Sequence, residues 1–129
     1  MPLSRILFRL DGRVPRFTFW VAFAAYLIAL QVLGVVNLVV QQISGEEGTS
    51  LVVLLILFLI NIVLGLMWFA VLAKRAHDRN HPGWYPIVVG VIPILGMAWL
   101  LIEFGFFSGT DGPNKYGDDP RAPMAPAVP

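Results

Sequence analysis

Cysteine is absent from the 129 residues. That excludes disulfides, thiolate nucleophiles and cysteine-ligated zinc or iron–sulfur centres, and it removes the usual marker of redox compartment. Charge is scarce: 13% of residues are charged, about half the share in a typical soluble domain. The net charge of +1 offers no broad basic surface, and no nucleic-acid partner is expected. What remains is apolar. Hydrophobic residues make up 57% of the chain and mean hydropathy is +0.75. A chain this short has too much surface for its volume to hide that apolar area in a soluble core. A bilayer can take it up. The length allows one domain, read as 1–121, with 122–129 a disordered Pro/Ala tail.

Three stretches carry no charged residue: Phe17–Ser44, Gly48–Ala73 and Asn80–Ile102. Each is long enough for a helix across a hydrocarbon core of ~30 Å, which needs roughly 20 residues. Helix is the expected form because lipid offers no partners for open strand edges. The expected fold is therefore an all-α integral membrane protein with three hydrophobic helical segments, at about 17–40, 51–73 and 84–107. Phe17, Phe19, Trp20 and Phe23 open the first as an interfacial aromatic belt. Gln31, Asn37 and Asn61 are polar groups at depth. The apolar run is far longer than that of a signal peptide, so a retained anchor is expected.

The third segment is irregular, with Pro86, Gly90, Pro93, Gly96 and Gly105, and Glu103 near its end. Its length favours a single kinked span. The proline–glycine break around Pro93 favours a re-entrant hairpin, which is tolerated only where other protein covers it. Glu103 is expected to reach water from the segment's end.

Lys and Arg are unevenly placed. The lead-in holds Arg5, Arg9, Arg13 and Arg16, and the loop at 74–82 holds Lys74, Arg75 and Arg79, whereas the loop at 41–50 has only Glu46 and Glu47. The positive-inside rule then puts the N-terminus and the second loop in the cytoplasm. A single third span puts the tail outside; a hairpin puts it inside. The lead-in also reads as a short amphipathic helix, with Arg5, Arg9 and Arg16 near one face and Leu3, Ile6, Leu7 and Leu10 on another. That pattern suits an anionic leaflet.

Three polar motifs stand out. Gly12-Arg13-Val14-Pro15-Arg16, leading to Trp20, is a turn at the membrane surface with two guanidinium forks suited to phosphate or carboxylate. Lys74-Arg75-Ala76-His77-Asp78-Arg79-Asn80-His81-Pro82-Gly83-Trp84 places two histidines four apart, but Pro82-Gly83 signals a turn. A zinc-helix reading is therefore poor, and no nucleophile supports a His77/Asp78 acid–base pair. Asp78 is expected to pair with Arg75 or with a lead-in arginine. Gly112-Pro113-Asn114-Lys115-Tyr116-Gly117-Asp118-Asp119-Pro120 is turn chemistry throughout.

Together the blocks Gly12-Arg13-x-x-Arg16-x-x-Phe19-Trp20, Arg75-x-His77-Asp78, Gly83-Trp84-Tyr85, Ile92-Pro93-x-x-Gly96 and Asn114-x-Tyr116-Gly117-x-Asp119-Pro120 resemble the domain-of-unknown-function 805 family. They occur in order over roughly residues 5 to 121. Pro82 stands where that family often has serine, and Ala76 where leucine is usual. The resemblance implies a bacterial inner-membrane location and several helical spans, and it supplies no activity. The sequence reading is then a non-enzymatic membrane protein without cofactor or metal. It would bind lipid headgroups, anionic ones included, or a membrane partner or second copy. Its motif residues are Gly12, Arg13, Arg16, Trp20, Arg75, His77, Asp78, Gly83, Trp84, Pro93, Asn114, Tyr116, Gly117, Asp119 and Pro120. The alternative reading is a subunit of an oligomeric transporter or channel.

Overall fold

The computed structural model describes residues 7–45 and 48–123. Most of the expected amphipathic lead-in helix, Glu46 and Glu47, and the end of the Pro/Ala tail lie outside the described residues. Residues 7 and 8 are helical, and the chain then leaves the helix for a turn at Gly12, whose φ is 94°.

Helix α1 runs over Arg16–Ser44 and α2 over Leu51–Asp78. Pro15 is extended and cannot continue a helix backwards, so α1 begins after it. At 29 and 28 residues each helix is about 40 Å long at 1.5 Å per residue, enough to cross a bilayer. Outward faces are apolar along most of both: Ile28, Val35, Ile43, Leu51, Phe58 and Leu66 are all exposed. Such faces need lipid or protein against them. This is an all-α membrane fold.

The second helix is longer than expected. Lys74-Arg75-Ala76-His77-Asp78 forms its last turn and a half rather than a loop. Good helix formers stand there, and the charged groups find partners. The helix stops in a double-bonded C-terminal turn: His81 N donates to Ala76 O at 2.8 Å and Asn80 N to His77 O at 3.0 Å. Asn80 takes the left-handed conformation, φ 62°, that such a stop requires. His77 and His81 therefore do not share a helix face.

The third segment does not span. It folds into α3, Tyr85–Gly90, and α4, Leu95–Phe106, which pack against each other. The reversal is a tight γ-turn centred on Ile94 (φ 61°, ψ −61°), closed by Leu95 N donating to Pro93 O at 2.6 Å. Pro93 brings no N–H to leave unpaired. Gly96 permits the arms to meet: a Cβ there would lie 1.8 Å from Val89 O. The single kinked span that length favoured is thus replaced by a hairpin. With 12 residues, α4 rises about 18 Å, short of a ~30 Å core.

The buried core sits at the end of the bundle where α1 begins and α2 finishes. Phe19, Trp68, Val71, Leu100 and Phe104 pack there with Val14 and Ala76. Phe19 contacts Trp68 at 5.6 Å and Phe104 edge-on at 6.2 Å between centroids, geometries that aromatic quadrupoles favour.

Candidate functional site

The polar motifs meet on top of this aromatic core. Asp78 lies between two arginines, all three buried. Arg13 Nε donates to Asp78 Oδ1 at 3.0 Å, and Arg75 Nη1 donates to Oδ2. The remaining donors of Arg13 reach carbonyls of the tail: Nη1 to Gly112 O at 2.6 Å and Gly117 O at 3.3 Å, and Nη2 to Thr110 O. Thr110 N in turn donates to Asp78 O at 2.7 Å. A guanidinium has five N–H donors in a fixed plane, and Arg13 uses them on a carboxylate and a loop at once. Gly109 is obligatory here: a Cβ would fall 1.9 Å from Asp78 Oδ2.

The second arginine closes the hairpin. Arg75 Nε donates to Phe104 O and Nη2 to Phe107 O, both at 2.7 Å. Between them, Trp20 Nε1 donates to Gly105 O at 3.0 Å and Arg16 Nη1 to Phe106 O at 3.1 Å, while Arg79 Nη1 reaches Ser108 O at 2.6 Å. Five consecutive carbonyls at the end of α4 therefore each accept from a side chain. A helix C-terminus presents unsatisfied carbonyls and partial negative charge; four of these five bonds come from arginine. Gly105 admits the indole, since a Cβ there would lie 2.4 Å from the Trp20 ring.

A third cluster fastens the tail. Asn114 Nδ2 donates to His77 O at 2.9 Å, and Asn114 pairs with Gly117 in an isolated bridge. Tyr116 stacks on His77 at 4.0 Å. His77 Nδ1 lies 3.2 Å from Gly12 O; a carbonyl only accepts, so the proton belongs on Nδ1. Gly83 packs on the same ring, leaving 3.0 Å between a would-be Cβ and His77 Nε2. Asp119 accepts from Gly112 N at 3.0 Å and from Arg121, whose Nη2 also reaches Asp111 at 2.7 Å. Arg121 holds the Asp119 carboxyl well below the usual carboxylate range, and the two carboxylates raise Arg121.

Eleven of the expected motif residues thus converge: Gly12, Arg13, Arg16, Trp20, Arg75, His77, Asp78, Gly83, Asn114, Tyr116 and Gly117, with Asp119 bracing the tail turn behind them. Three others stand apart. Trp84 is 60% exposed, Pro120 is exposed, and Pro93 is at the hairpin tip.

Glu103 does not reach water. It is 4% exposed, roofed by residues that stand in or beside the motifs but were not among the expected site residues. His81 Nε2 lies 2.9 Å from Oε1, Tyr85 OH donates to Oε2 at 2.7 Å, and Arg79 is 3.7 Å away. Trp99 Nε1 donates to Tyr85 OH at 3.3 Å. The signal was present: Glu103 stands four residues after Trp99, one helical turn, and Tyr85 four after His81. What periodicity could not supply was the fold-back that joins the two pairs.

Among the described residues no group of three or more His, Asp and Glu is arranged to hold a metal. The polar residues at depth serve their own helices: Asn37 Nδ2 donates to Leu33 O and Asn61 Nδ2 to Leu57 O, each at 2.9 Å.

Residues 7–118 match the family described as DUF805, protein of unknown function. The chain belongs to this family. It is 31% identical over 112 residues to Inner membrane protein YhaH of Escherichia coli K12, covering 85% of each chain. To Inner membrane protein YhaI of the same organism it is 30% identical over 111 residues, covering 86% of this chain and 85% of that one. A longer relative, Uncharacterized protein YiiR, is 28% identical over 144 residues, with 92% and 90% covered. No solved structure matches. In this DUF805 protein the family match spans the clamp from Arg13 to Gly117 and ends just before Asp119.

Proposed function

We propose that this DUF805 protein is a non-enzymatic, multi-pass protein of the bacterial plasma membrane. Its lead-in, second loop and tail form one cytoplasmic cap that meets lipid headgroups or a membrane partner. The observation that carries this reading is the buried Arg13–Asp78–Arg75 clamp, which fastens all three segments at one end of the helix pair. Two arginines that open motifs are spent inside the protein, so recognition passes to outward groups on the rim: Arg9, whose side chain is 59% exposed, and Lys115, also exposed. Basic residues beside spans favour the cytoplasmic face, and two relatives carry inner-membrane names. A transport subunit draws less support, because Asn37 and Asn61 bond their own helices and Glu103 is capped by neighbours.

A reporter fused after Pro129 tests the arrangement. A fluorescent protein that matures only in the cytoplasm is expected to glow there, and alkaline phosphatase at the same site is expected to stay inactive. Phosphatase activity with no fluorescence would sink the one-sided cap.

A further inference from the structure

Gln31 is the exception among the polar residues at depth. Asn37 and Asn61 each bond their own helix at 2.9 Å. The Gln31 carboxamide is exposed and has no hydrogen-bond partner among the described residues. It stands eleven residues beyond Trp20 and thirteen before Ser44, about 16 Å and 20 Å along the helix at 1.5 Å per residue. That is the middle of a ~30 Å hydrocarbon core, too deep for the side chain to reach either headgroup layer. Its face is also turned from the rest of the protein. Tyr26, which stacks on Trp68 of α2 at 5.1 Å, and the buried Leu33 mark the side of α1 that packs. At 3.6 residues per turn Gln31 lies roughly 140° to 160° round from both.

The surface around it repeats as a helix seam does. Ala24, Ile28, Gln31, Val35 and Leu38 are all exposed and follow one another at intervals of four, three, four and three. This is the 3.5-residue repeat by which two helices interlock side chains along a shared line, and one polar residue within such a line fixes its register. The occupant must bring a hydrogen-bonding group to the depth of Gln31. Acyl chains carry none. A carboxamide donates through its N–H groups and accepts at its oxygen, so two of them related by a twofold axis satisfy each other. The same distribution of arginines orients every copy of the chain alike. A second α1 therefore runs parallel to the first and presents its own Gln31 at the same level.

We infer that this face of α1 pairs with the same face of a second copy, joined at mid-membrane by reciprocal hydrogen bonds between the two Gln31 carboxamides. The inference goes beyond the cap reading and needs only that α1 spans the bilayer; the side of the tail does not enter. Apolar contact alone adds little there, because the surrounding lipid is equally apolar. Interlocked packing and the two hydrogen bonds carry the association.

The absence of cysteine gives a clean background for the test. Ala24→Cys, Ile28→Cys, Val35→Cys and Leu38→Cys are made singly in the full-length protein, placed in phosphatidylethanolamine–phosphatidylglycerol vesicles and oxidised with membrane-permeant copper–phenanthroline. Disulfide-linked dimers are expected from all four. Few are expected from Val32→Cys, which is exposed at the same depth but about 100° round the helix. Energy transfer between copies carrying donor or acceptor dyes at the N-terminus, diluted with lipid, gives the dissociation constant. Gln31→Leu is expected to raise it roughly tenfold, the effect of losing two interhelical hydrogen bonds in lipid, and Gln31→Asn to recover part of that loss. Gln31 has no hydrogen-bond partner within its own chain, so the leucine variant is expected to fold as the wild type does. Equal crosslinking from Val32→Cys and the four seam variants would overturn the inference. So would a monomer at every lipid dilution, or an unchanged dissociation constant for Gln31→Leu. None of these outcomes moves the tail reporter, so failure here is separable from failure of the one-sided cap.

Discussion

Asp78 balances two guanidinium groups where water does not reach. All three side chains are at most 1% exposed. A buried ion pair adds little over well-packed apolar groups, but removing one member leaves uncompensated charge and costs about 3–5 kcal/mol. Asp78→Asn is therefore expected to lower the melting temperature in detergent steeply and to reduce accumulation in membranes. Gly109→Ala should do similar damage by a different route, since its Cβ collides with the Asp78 carboxylate. A melting temperature within a degree or two of wild type for both would remove the clamp from the account of stability. Asp119 behaves differently. Its carboxyl sits below the ordinary value of 3.8 because Arg121 favours the charged form. A lowered folded-state value means that the stabilisation is complete above pH 3.8 and is lost as pH falls through the folded value. Proteolysis of the tail should thus be unchanged from pH 7 to pH 4.5 and rise only in stronger acid, while Asp119→Asn should make the tail protease-sensitive already at neutral pH.

At the scale of the element, the hairpin turn carries backbone strain. Ile94 is β-branched, sits at φ 61° and is 84% exposed, so its side chain packs on little within the protein. Left-handed φ costs a side-chain-bearing residue roughly 1–2 kcal/mol, and glycine returns about 0.5–1 kcal/mol of that through unfolded-state entropy. Ile94→Gly is expected to raise stability by up to about 1 kcal/mol, read as a higher melting temperature. A drop instead would mean that the isoleucine side chain is anchored by lipid. The two long helices were legible in the sequence because uninterrupted apolar runs leave one option in a bilayer. The hairpin was legible only as a choice. Pro93 and Gly96 mark a break equally well in a kinked span and in a reversal. What decides is contact between Gly96 and Val89, and arginines waiting at the end of α4 for its carbonyls. Those partners lie in other segments, beyond the reach of local pattern.

At the scale of the whole molecule, the motif residues were visible as residue types but not as one assembly. Asp78 was expected to pair with Arg75 or with a lead-in arginine, and it holds both Arg75 and Arg13, whereas Asn114 read only as part of a turn. Their meeting depends on the side to which the third segment returns. His81, Tyr85 and Glu103 were missed as a group for the same reason. The one-sided cap also makes a prediction about the whole chain. Deleting residues 110–129 should destabilise the remote lead-in, because Arg13 loses its carbonyl partners at Thr110, Gly112 and Gly117. Hydrogen exchange at Gly12–Pro15 should then quicken, and unchanged exchange there would count against the coupling.

Arg13 and Gly112 are 99 residues apart in sequence. A ribosome adding ~5–20 residues per second makes the first of them many seconds before the second. Asp78 follows Arg13 by 65 residues, so the guanidinium has a carboxylate to meet before its carbonyls at Thr110, Gly112 and Gly117 exist, and the chain cannot complete its cap until translation is almost finished. A nascent chain that stalls, or one clipped near its end, keeps charged groups uncovered beside the bilayer.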